Sequence, residues 1–119
     1  VASPATSTIN FDVTTQSILY YTSNSTGNWV LNVRGNSGTT LDSLLSTGQS
    51  ITVVFMATNG ATAYYNTSMT IDGNAVSPKW QGNLAPVSGN ASSVDSYVYV
   101  IVKTGSAAFT VFASRTQFK

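Results

Sequence analysis

Val94-Asp-Ser-Tyr-Val-Tyr-Val-Ile-Val-Lys103, then Thr104-Gly105-Ser106, then Ala108-Phe-Thr-Val-Phe-Ala-Ser-Arg-Thr-Gln-Phe118 is the stretch that decides the fold class of this chain. Two runs of β-branched and aromatic residues flank a short turn sequence, the pattern of an antiparallel hairpin. Successive strand side chains point to opposite faces. Val98, Val100 and Val102 therefore share one face, and Tyr97, Tyr99 and Ile101 share the other. Both faces are apolar, whereas a strand of a sandwich buries only one face in its own core, so the second needs a cover. Tyr97, Tyr99 and Ile101 are assigned to that second face as a candidate interface, covered by the loop 77–93 or by a neighbouring subunit.

Upstream, the same period-two logic repeats. Ile9, Phe11 and Val13 alternate with polar residues, and Trp29, Leu31 and Val33 point one way while Asn28, Val30, Asn32 and Arg34 point the other, which places Trp29 in the core. Ile18 to Tyr21 is a third apolar run. Ile51 to Ala57 is almost wholly apolar and reads as a strand covered on both faces. Asp72-Gly73 separates Met69–Ile71 from Asn74–Val76 and suits a tight hairpin turn, since positive φ angles favour Asp, Asn and Gly. One short helix is expected near residues 40–46, where Thr39-x-x-Asp42 resembles a capping box and Leu41, Leu44 and Leu45 share a helical face. Residues 1–7 read as an N-terminal arm or linker and 8–119 as one domain. The expected fold is all-β: a single β-sandwich, jelly-roll-like, with strand order open.

Composition narrows the chemistry. The chain has no His, Cys or Glu, and its only carboxylates are Asp12, Asp42, Asp72 and Asp95. Proton shuttles, thiol nucleophiles and soft metal ligands are thus missing. Charged residues make up 8% of the chain, against about 25% in ordinary domains, their place being taken by Ser, Thr, Asn and Gln. The apolar runs are too short to span a bilayer. No basic stripe with interleaved aromatics provides a nucleic-acid footprint. The expectation is a non-enzyme with no metal, no cofactor, no nucleic-acid partner and no membrane span.

Phe55-Met-Ala-Thr-Asn-Gly-Ala-Thr-Ala-Tyr-Tyr65, Ile71-Asp-Gly73, Pro78-Lys-Trp-Gln-Gly82, Gly89-Asn-Ala-Ser-Ser93 and Phe109 to Phe118 resemble a domain that recurs in structural proteins of marine tailed bacteriophages, cyanophages especially. Thr15 to Tyr21 and Asn28 to Gly38 extend the similarity over nearly the whole chain. The resemblance implies a virion structural or tail-fibre-associated role and supplies no catalytic residues. It further implies a chain made in the host cytoplasm and displayed on the virion exterior, with other capsid or tail proteins as partners and a homo-oligomeric assembly.

Individual residues carry competing readings. Two of the four Asp could form a glycosidase pair, which needs carboxyls roughly 5 to 9.5 Å apart, but Asp72 has a turn role and Asp42 a helix-start role. Asn24-Ser-Thr26, Asn66-Thr-Ser68 and Asn90-Ala-Ser92 match the glycosylation pattern, as chance dictates in so Asn-, Ser- and Thr-rich a chain. Trp80, beside Lys79 and Gln81 in the loop 77–93, either plugs the end of the sandwich or contacts a ligand; Tyr64 and Tyr65 face the same choice. Two functions follow: a capsid decoration or surface protein held by protein–protein contacts, or a tail-fibre receptor-binding module in which Tyr64, Tyr65 and Trp80 meet host surface glycan.

Overall fold

A computed structural model describes all 119 residues. The strands are β1 (Ser7–Asp12), β2 (Ile18–Asn24), β3 (Trp29–Arg34), β4 (Ser50–Thr58), β5 (Asn66–Ile71), β6 (Asn74–Val76), β7 (Lys79–Trp80), β8 (Val94–Gly105) and β9 (Ala108–Phe118). The only helical pieces are α1 (Leu41–Leu44) and a single 3-10 turn at Gln81–Asn83. No helix is long and apolar enough to cross a membrane. The strands form a four-stranded sheet in the order β1-β3-β5-β6 and a five-stranded sheet in the order β2-β4-β8-β9-β7. The molecule is all-β, and the two sheets pack as a sandwich.

From β1 to β5 the chain alternates between the sheets, so each strand lies beside the one two places earlier. β1 pairs in parallel with β3, β3 with β5 and β2 with β4. A jelly roll is antiparallel throughout. This chain departs from that pattern, because returning to the same sheet only after crossing the other makes neighbours run in the same direction. The antiparallel elements are the hairpins, β5–β6 and β8–β9, together with the β4–β8 pair that joins the coiled half to the closing hairpin. The β5–β6 turn is Asp72-Gly73, with φ of 52° and 81°, the doubly left-handed geometry expected of that dipeptide.

The core lies between the sheets. Ile9, Phe11, Trp29, Leu31, Val33, Met69 and Ile71 from one sheet meet Val53, Phe55, Ala57, Tyr97, Tyr99, Ile101 and Val111 from the other, all of them buried. Trp29 is a core residue as its strand alternation requires. The structure inverts the two faces expected for β8: Tyr97, Tyr99 and Ile101, the expected interface, have no exposed surface at all. Their aromatic bulk fills the gap opposite Trp29, and the tyrosine hydroxyls find polar partners at Asn66. The valine face is the one turned outward. β4 likewise has one covered face and not two, since Val54 and Met56 lie half-exposed.

Residues 1–7 do not hang free. Pro4 bridges in parallel to Ser23, the amide of Thr22 donates to the carbonyl of Val1, and Ala5 is fully buried.

Helix α1 is held from both sheets. Its N-cap is Thr40, whose hydroxyl accepts from the Ser43 amide at 3.1 Å, one residue later than the expected Thr39. The Asp72 carboxylate, carried on the β5–β6 turn, accepts from the amides of Leu41 (2.7 Å) and Asp42 (3.0 Å). At the other end the Lys103 ammonium of β8 donates to the carbonyls of Asp42 and Leu45. An anion at the first amides and a cation at the last carbonyls suit the unpaired groups of a helix, even one of four residues. Asp72→Ala is expected to lower the unfolding free energy by about 1–2 kcal/mol, the worth of a lost cap together with a non-Gly residue at positive φ. Asp72→Asn, which tolerates that φ and keeps one acceptor, should cost less, and urea denaturation of the two variants measures the difference.

Candidate assembly surface

The sandwich has two outward sheet faces, and their chemistry is opposite. On the four-stranded sheet, Asn32 donates to Asn10 at 3.0 Å and accepts from Thr70 at 2.6 Å and from the Gly73 amide at 3.0 Å. Arg34 pairs with Asp12 at 2.7 Å beside this ladder. The adjoining hollow, bounded by Asn32, Arg34, Asn36, Thr39 and Asp72, has no apolar lining residue. Asn10, Asn32, Thr70, Asp12 and Arg34 thus satisfy one another on a face that suits water.

The five-stranded sheet presents a different face. Its pairing register sets Ile18 beside Val54, Val54 beside Val98, and Val98 beside Ser114 in one row across the sheet. The next rows carry Tyr20 beside Met56, and Thr52 beside Val100 and Phe112. Ile18 is 59% exposed, Tyr20 40% and Phe112 50%. No charged side chain occupies an outward position on β2, β4, β8 or β9. At the β9 side Val98, Val100, Phe112, Ser114, Lys79 and Trp80 line a shallow, open hollow of about 300 Å³. Leu84, 79% exposed, stands at an adjoining, more polar hollow with Trp80, Ser114 and Arg115. Contiguous apolar surface of this kind, bounded by polar residues, is how interaction sites differ from the scattered exposed apolar groups of any protein.

Of the candidate ligand contacts, Trp80 packs against the core on one side and, half-buried, lines surface hollows on the other. Two-residue β7 pairs beside β9 and holds its ring edge-on to Tyr99 at 6.0 Å and Tyr97 at 6.5 Å. Tyr64 packs half-buried against the core, its backbone exchanging hydrogen bonds with the buried Asn59 side chain. Tyr65 is half-buried, with its amide donating to Asn28. None of the surface hollows is lined by Tyr64 or Tyr65 together with Trp80. Val98, Val100 and Val102 were visible in the sequence as an apolar face, whereas Ile18, Tyr20, Val54, Met56 and Phe112 were not connected to them. Linking them requires the pairing of β2 with β4, a contact between distant segments.

All four carboxylates have structural partners. Asp12 holds Arg34, and Asp72 caps α1. Asp95, fully buried, accepts from the amide and side chain of Asn90 and from Asn59. Asp42 pairs with Lys103 at 2.8 Å and accepts from the Ala107 amide at 2.7 Å.

No protein-family model, curated protein or solved structure matches this chain.

The Lys103 hydrogen bond, then the Ala107 amide, hold the Asp42 carboxyl below its ordinary range despite its partial desolvation. A group with a depressed folded-state value stabilises the fold above its unfolded value, and that contribution is lost as pH falls through the folded one. The urea midpoint of the wild type should accordingly decline as the pH drops below about 4, and Asp42→Asn should flatten that decline while lowering the midpoint at neutral pH. At the alkaline end the sign reverses. Burial raises Tyr97, and raises Tyr99 well above the ordinary phenol value. Stability is then full below about pH 10 and falls as pH rises beyond it. Tyr99→Phe is expected to reduce that alkaline loss in the same titration.

Proposed function

We propose that this chain is a non-enzymatic structural protein of a tailed-phage particle, a capsid decoration or surface-displayed domain held in place by protein–protein contacts. The observation that carries the reading is the asymmetry of the sandwich: one outer face carries a polar ladder and the other is an apolar sheet whose one charged outward residue, Lys79, lies at the β7 margin. An apolar face that its own fold leaves open is suited to assembly, because covering it removes apolar surface from water at no cost in buried charge. The engagement of every Asp in a structural contact supports the non-enzymatic part. The particle itself is inferred from the resemblance of Phe55 to Tyr65, Pro78 to Gly82 and Phe109 to Phe118 to the phage domain. A surface nearly free of charge also binds with weak dependence on salt, as a protein displayed in saline surroundings needs.

The alternative, a tail-fibre module that reads host glycan, draws on Tyr64, Tyr65 and Trp80. It has less to rest on, because the tyrosines line no hollow shared with Trp80. Phe112→Lys places a charge on the apolar face at a half-exposed position. It is expected to leave the circular dichroism spectrum and melting temperature nearly unchanged while removing the protein from purified particles in a co-sedimentation assay. Undiminished attachment would overturn the assembly reading. Copy number per particle separates the two locations, since a capsid ornament follows the lattice whereas a fibre module occurs in a few symmetric copies.

A further inference from the structure

We infer that the occupant of the apolar face is a second copy of this chain, packed sheet against sheet about a two-fold axis that runs along the strands between β4 and β8. The inference rests on reading that face as an assembly surface and names its partner: the copies pair through it, and the pair is the unit that attaches to the particle. Three features point to self-pairing.

The first is shape. Ile18 and Tyr20 stand out along the β2 edge, while the hollow lined by Val98, Val100, Phe112 and Ser114 lies at the β8–β9 side. In the order β2-β4-β8-β9, a two-fold axis between β4 and β8 sets β2 of one copy over β9 of the other. That operation keeps position along the strands, and the register puts Ile18, Val54, Val98 and Ser114 at one level. The Ile18 side chain of each copy therefore meets the rim of the other's hollow, ridge into hollow twice over, which is the self-complementarity a two-fold interface requires.

The second is charge. No ionised side chain stands at the outward positions of β2, β4, β8 and β9; the one charged residue on this face, Lys79 of β7, lies beside Phe112 at the margin, and a two-fold axis between β4 and β8 sends its two copies to opposite margins, so they do not repel across the centre.

The third is area. Four strands about 4.8 Å apart, with residues rising about 3.3 Å each along the nine of β4, span roughly 19 by 30 Å. Two such faces together cover about 1,100 Å², before Trp80 and Leu84 extend them, which clears the roughly 1,000 Å² a biological interface needs.

The chain contains no cysteine, which permits a direct test. In one copy residues 18 and 114 lie three strands apart, about 14 Å, whereas sheets packed face to face bring the two positions of different copies to about 10 Å. In Ile18→Cys/Ser114→Cys a bis-maleimide whose spacer is shorter than the intramolecular separation is therefore expected to link two copies, and in either single variant little or none. Wild-type protein should sediment as a dimer, and Ile18→Lys should raise its dissociation constant about tenfold or more. A wild type that dimerises without cross-linking in the double variant and without response to Ile18→Lys pairs elsewhere, which overturns the inference. A monomeric wild type overturns it as well. The particle assay then separates the two readings: if Phe112→Lys still abolishes attachment, the face serves another protein and the assembly reading stands, and if attachment persists, both readings fall.

Discussion

Trp29 is the contact on which the two sheets depend. It projects from β3 of the four-stranded sheet and its ring lies 5.5 Å from Phe55 on β4 and 5.8 Å from Tyr97 on β8, the latter edge-on. Tyr97 is stacked on Tyr99, and Trp80 closes the series against both. One sheet thus supplies a single large wedge and the other supplies the slot around it. Edge-on and offset ring contacts add about 0.5–1.5 kcal/mol each beyond simple burial. They also fix which strand of one sheet faces which strand of the other, a job that interchangeable aliphatic side chains do poorly.

Polar chemistry closes the two ends of this slab. At one end, α1 receives Asp72 from the four-stranded sheet and Lys103 from the five-stranded sheet, so four residues of helix tie the layers together. At the other, Asp95 and Asn59 anchor the long loop through Asn90, and Gly89 is pressed so near the Tyr64 carbonyl that a Cβ there would lie 2.2 Å from it. Only glycine fits such an approach. Charge is scarce in the chain, and both of these carboxylates are placed where they tie separate segments together.

Short-range features were legible in the sequence because short-range physics makes them. The Asp72-Gly73 turn, the β8–β9 hairpin, the single short helix and the burial of Trp29 all follow from neighbours within a few residues. The parallel coiling of β1 to β5 does not, because an alternating strand such as Trp29–Arg34 carries the same pattern whether its partner runs with it or against it. The inversion of β8 has a similar origin. When Tyr97-Val98-Tyr99-Val100-Ile101 is apolar on both sides, alternation separates two faces without saying which is the core. What decided it was volume: Trp29 and Trp80 leave room for aromatic rings between them, and the smaller valines are left to the outer face.

The same sandwich restricts how it can associate. Free strand edges are the usual route to uncontrolled pairing, yet the β2 edge is bordered by the N-terminal residues through the Thr22–Val1 and Pro4–Ser23 contacts, and β9 is partly shielded by β7. Edge-to-edge growth of the five-stranded sheet is thereby impeded at both margins. Its broad face is then the remaining way to bury Ile18, Val54, Val98 and Phe112. Pairing through a face consumes that face and stops, whereas pairing through an edge exposes a new one and continues. A charge-poor protein, which has little electrostatic repulsion to keep its copies apart, gains most from a mode of contact that closes on itself.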